Sequence, residues 1–158
     1  MEKVRYDEAK RWFWTRTWLW FVVAVAASAV FWYIATDGVI KPTGIRAGIC
    51  AGGGVFVALA GLIAATMSTQ LPWMRAGWRI AFVLNGPAGA AIAAVIGYLA
   101  GGLALSLLHN DPLHPPSRAV VQTAYTLVEY GIGACALSGF IFASWFAMRR
   151  DKYFVERL

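Results

Sequence analysis

Charge is what this chain has least of. Asp and Glu number 8 in 158 residues and Lys and Arg 14, so 14% of positions are charged. That is too little to clothe a soluble domain. Histidine is scarcer still: His109 and His114 are the two copies, and both stand beside Asp111 in a proline-rich stretch. Neither falls in the middle of an apolar run, which argues against an axial haem pair, and with no second ligand cluster the trio makes a poor metal site. Cysteine is limited to Cys50 and Cys135. Each lies in an apolar run, where cysteine serves as a small packing residue, and a disulfide would need their two segments to be adjacent. No phosphate-binding loop, zinc helix or nucleophile elbow occurs. No catalytic, cofactor-binding or metal-binding residue is therefore expected, and enzyme activity would come only through membership of an enzyme complex.

What the chain has instead is apolar length. Hydrophobic residues make up 59% of it, and they gather into four runs at 17–36, 47–67, 80–108 and 119–148. Each reaches the ~20 residues that cross a hydrocarbon core of ~30 Å. The expected fold is an all-α integral membrane protein with four transmembrane helices. Its domain at 17–148 is preceded by a basic, tryptophan-rich juxtamembrane segment, 1–16, and followed by a basic tail, 149–158. The third and fourth runs would be ~43 and ~45 Å long as helices, so each must tilt, kink or project. Pro87 marks a kink in the third, with Asn85 placed to repair part of the lost backbone bonding. The prolines of "HNDPLHPPSR" stop that run.

An even number of spans puts both ends of the domain on one side. That side carries eleven Lys and Arg against three opposite, which by the positive-inside rule faces the cytoplasm or its equivalent. Lys10, Arg11 and Arg16 at one end and Arg149 and Arg150 at the other are placed to meet lipid headgroups, and bound phospholipid is expected there. The same positions explain the net charge of +6 without a nucleic-acid partner. Ala27-Ser28-Ala29 imitates a signal-peptide cleavage site, but Phe31, Trp32 and Tyr33 follow with no polar region, so the start is expected to be retained. Glu2, Asp7 and Glu8 fit a mitochondrial transit peptide poorly.

Small residues recur every fourth position in three places: Gly44, Gly48 and Gly52; Gly89, Ala93, Gly97 and Gly101; and Gly131, Cys135, Gly139, Ala143 and Ala147. Such ridges let a second backbone approach within dispersion range in lipid, where the hydrophobic effect no longer drives helices together. They predict tight helix packing, within the chain or with a partner. Replacing Gly97 or Gly101 by leucine is then expected to release the protein from an assembly while leaving insertion intact.

Glu129 is the sole acid inside an apolar run. Counting back ~20 residues from Arg149 puts it at the far interface, where Gln122, Tyr125 and Thr126 share its face. It is expected to pair with Arg46 or Lys41, with a proton or ion relay as the functional alternative.

With the spans placed, "EYGIGACALSGFIFASWFAMRRD" at 129–151 resembles the last helix of the mitochondrial translocase-channel family, which includes a four-helix accessory subunit of respiratory complex I. "FVLNGPAGAAIAAVIG" at 82–97 is similar to its third helix and "AGLIAATMS" at 60–68 to the end of its second. The connection "TQLPWMRAGWR" departs from the acidic loop of that family. The resemblance implies a small multi-pass protein of the mitochondrial inner membrane, without a cleaved presequence and without an active site, held among other membrane subunits and lipids by its glycine faces. It also implies termini in the intermembrane space, against the charge count. Two other readings stay open: a protein- or ion-conducting channel of the translocase type, and a bacterial inner-membrane complex subunit or immunity protein.

Overall fold

The computed structural model describes residues 2–37, 43–75, 78–109 and 116–153, with side chains at 10–37, 44, 46–74, 79–108 and 116–148. Four long helices account for nearly all of them: α1 Glu2–Ala35, α2 Thr43–Ser68, α3 Trp78–His109 and α4 Arg118–Tyr153. A short 3-10 turn, Pro72–Arg75, stands between α2 and α3. Each long helix contains a segment able to cross a membrane by length and composition: Lys10–Ala35, Arg46–Ser68, Arg79–Leu108 and Arg118–Met148. The protein is an all-α, multi-pass membrane protein.

The helices follow from solvent. Hydrocarbon offers no partner to a backbone N–H or C=O, so an apolar run must satisfy both internally. The side-chain hydroxyls within the spans do the same. Thr17 donates to the carbonyl of Phe13 at 2.9 Å, and Ser68 to that of Ala65 at 2.8 Å. Helix ends carry local signals. Thr36 turns its hydroxyl back to the Trp32 carbonyl at 2.7 Å while the Asp37 amide closes on Ile34 at 3.1 Å. After α2, the amides of Gln70 and Leu71 bond three residues back before Pro72 opens the 3-10 turn. Ser117 caps α4 by accepting from the Val120 amide at 3.4 Å.

Pro87 lies inside α3, which continues through it. Asn85 has a different task from the expected one. Its amide nitrogen donates to the Ala143 carbonyl of α4 at 2.8 Å, so it bridges two helices instead of repairing its own.

Packing is most extensive between α3 and α4, then between α2 and α4 and between α1 and α2; α2 meets α3 less, and α1 meets α4 only lightly. The interior is built from small side chains: Ala58, Ala64, Ala65, Ala81, Ala93 and Ala143 are fully buried. Large apolar residues such as Leu99, Leu103 and Leu107 point outward and are more than 60% exposed. In lipid this arrangement costs little, because an acyl chain is as good a neighbour for leucine as another leucine. The helices therefore meet backbone to backbone. The exception is the end toward the helix termini, where Phe13, Phe142 and Phe146 form an aromatic cluster, with the Phe13 and Phe146 rings 5.2 Å apart.

Candidate functional site

The closest approach is the seam between antiparallel α3 and α4. Gly86 faces Ser144, Gly89 faces Ala143 and Gly139, Gly97 faces Cys135 and Ile132, and Gly101 faces Val128. A methyl group on Gly89 would stand 2.6 Å from the Gly139 carbonyl oxygen, and one on Gly139 would stand 2.5 Å from the Ala93 methyl. Neither has room. Gly97 is less tight, since its nearest neighbours would be 3.3 Å from such a methyl. Asn85 ties the same seam with its bond to Ala143, and both residues are fully buried.

Gly131 belongs elsewhere. A methyl group there would meet the Trp32 ring of α1 at 3.4 Å, ordinary contact. Trp32 is the residue that the sequence hid. Read by composition it is one more interfacial aromatic, yet it is only 8% exposed and its ring lies between Gly53 of α2 and Gly131 of α4. No periodicity in α1 marks it out.

The ridge on α2 makes no contact within the chain. A methyl group on Gly44, Gly48 or Gly52 would meet nothing within 4 Å, whereas Gly53 faces Trp32, Gly54 faces Val25 and Ala29, and Gly61 faces Ser138. Helical geometry gives the reason. With 3.6 residues per turn, every fourth residue drifts by about 40° around the axis. The row that starts at Gly44 passes exposed Phe56 and turns inward only at buried Ala60. Gly48 and Gly52 therefore do not pack within the chain. They line, with Gly53, Gly97 and Gly101, an apolar cavity of about 530 Å³ open at the bundle surface. The contacts of Gly97 and Gly101 also change what their replacement tests. Leucine there would strike α4 of the same chain, so release from a partner is no longer its specific effect.

The ion pair needs correction too. Arg46 bonds Asp37 at 2.9 Å, donates to the Tyr33 carbonyl at 2.6 Å and to the Thr36 hydroxyl at 3.3 Å, and lies 4.0 Å from the Tyr33 ring centre. It thus fastens the end of α1 to the start of α2. Glu129 is exposed and makes no ion pair among the described residues; Lys41, its other expected partner, lies outside them. The Phe31 and Tyr130 rings, 6.3 Å apart, set Glu129 level with Phe31. Tyr33 and Asp37, which hold the Arg46 guanidinium, come two and six residues after Phe31, so Glu129 lies inward of the Arg46–Asp37 pair.

Of the headgroup residues, Lys10, Arg11 and Arg16 are exposed, and Arg16 lies 5.5 Å from the Trp12 ring centre. Arg149 and Arg150 are on the backbone of α4, but their side chains lie outside the described residues, as do those of His109, Asp111 and His114. Cys50 and Cys135 are free thiols. Among the described residues no three His, Cys, Asp or Glu side chains gather as a metal site. Compared with models of known protein families, with curated proteins and with solved structures, the chain matches none.

Proposed function

We propose that this chain is a non-catalytic accessory subunit of a large inner-membrane assembly, with mitochondrial respiratory complex I the assembly its sequence resembles. The observation that carries this reading is the outward glycine row of α2. Gly44, Gly48 and Gly52 cost the helix propensity and packing, about 1 kcal/mol each relative to alanine, and nothing inside the chain uses the space. A helix of another subunit would use it, because two smooth faces can approach closely in lipid. The likenesses at 60–68, 82–97 and 129–151 supply the mitochondrial part of the reading, and a bacterial inner-membrane complex is the alternative. The subunit reading is preferred to a channel because the helices meet at mid-depth through Val57, Ala60, Ala64, Ala93 and Cys135, and the Asn85 amide nitrogen is already engaged across the seam.

The test is a native gel after gentle detergent extraction, stained for NADH dehydrogenase activity. The wild-type chain is expected to migrate with that activity, and Gly48→Leu and Gly52→Leu to lower the ratio of assembled to free protein several-fold with membrane content unchanged. Ile63→Leu, on the same exposed side of α2 but with no side-chain volume added, is the control. A chain that runs only as a small particle, or glycine variants that assemble normally, would overturn the reading.

A further inference from the structure

α1 and α4 pack only lightly against each other, and between them runs an apolar groove of about 520 Å³. Its α4 wall extends from Glu129 to Phe142 and its α1 wall from Phe31 to Trp20. Thirteen residues of helix span ~20 Å, while one leaflet of hydrocarbon is about half of a ~30 Å core. The groove therefore runs along the membrane normal for slightly more than the length of one acyl chain. Gly133 opens its middle, since a methyl group there would meet nothing within 4 Å.

The two ends differ chemically. At one end stand Trp20 and Phe142; at the other, inward of the Arg46–Asp37 pair, stands Glu129 with the Phe31 and Tyr130 rings beside it. Its carboxylate is exposed and has no cation among the described residues. A carboxylate facing lipid at that depth is costly unless a positive group comes to it. A primary ammonium can donate charge-assisted hydrogen bonds to the oxygens and lie against an aromatic face.

We propose that the α1–α4 groove is a phospholipid site: it seats one acyl chain of a lipid whose headgroup carries a primary ammonium, and Glu129 is the counter-ion. The aromatic end faces the chain terminus and the acidic end selects the headgroup. The site belongs to the isolated chain, so its fate is separate from that of the subunit reading.

The experiment is native mass spectrometry of the full chain in detergent micelles, offered phosphatidylethanolamine and phosphatidylglycerol with identical acyl chains. The wild type is expected to retain the ethanolamine lipid about 10-fold better, as one charge-assisted hydrogen bond gives. Glu129→Gln should abolish the preference, and Gly133→Leu, which adds a side chain to the groove from a position open at Cβ, should reduce retention of both lipids. Equal retention by the wild type, or a preference that survives Glu129→Gln, overturns the headgroup assignment. Undiminished binding by Gly133→Leu overturns the seat. A wild type that retains neither lipid overturns the whole proposal and leaves this face to a basic residue of a partner helix. The Glu129→Gln arm decides the headgroup question even should Gly133→Leu fail to fold.

Discussion

Gly139 and Gly133 stand six residues apart on α4, about 120° around its axis, and mean opposite things. Gly139 lies in the seam with α3, against the Gly89 backbone and the Ala93 methyl, while Gly133 borders the groove toward α1 and faces open space. One glycine is small because a neighbour is near. The other leaves a volume for something that is not part of the chain. Glycine content alone does not tell the two cases apart, since both are glycines of the same helix. What separates them is the partner surface, which is the backbone of α3 in one direction and lipid in the other.

Substitution should widen that difference. The largest effect is expected from Gly139→Leu, which drives a side chain into the Gly89 carbonyl and the Ala93 methyl. Overpacking of a tight interior costs ~1–3 kcal/mol or more, and unfolding of the purified protein by SDS titration should show a loss at the top of that range. Asn85→Ala comes next. It removes the bond to the Ala143 carbonyl without enlarging anything, and interhelical hydrogen bonds in membranes contribute ~0.6 kcal/mol on average and at most ~1.7. The same titration should place this variant between wild type and Gly139→Leu. The smallest effect, and the opposite sign, is expected from Gly133→Ala. Its methyl group meets nothing, and the gain in helix propensity is ~0.5–1 kcal/mol. A Gly133→Ala protein that unfolds more easily than wild type would mean that the groove is closed by contacts and the comparison fails.

The helices were legible in the sequence because hydrocarbon thickness and backbone satisfaction leave few choices once four long apolar runs are seen. The pairing of α3 with α4 was legible in part. Gly89, Ala93, Gly97 and Gly101 form one row, and Gly139, Cys135 and Ala143 another, but rows show that something approaches without saying what. On α2 the regular row, Gly44 to Gly52, has no partner within the chain: it faces away, and the irregular set Gly53, Gly54 and Gly61 makes the contacts. Helical drift explains the outcome after the partner is known. It could not choose the partner beforehand. The pairing of Arg46 with Asp37 was missed for a simpler reason. A hairpin of two helices joined by a short connection brings its own ends together, and this local constraint outweighs attraction to a more distant acid such as Glu129. Trp32 was illegible, since burial of one tryptophan among 8 depends on a gap opened by Gly53 and Gly131 on two other helices.

An interior of alanine leaves mutation only one direction. Ala58, Ala64, Ala65, Ala81, Ala93 and Ala143 have almost no side chain to lose, so the usual truncation that creates a cavity is unavailable at them. An alanine scan of this protein would register Asn85, the buried aromatic residues and the exterior, and pass over these alanines. Sensitivity there appears only when residues grow, and tolerance should fall with each added carbon, from serine through valine to leucine.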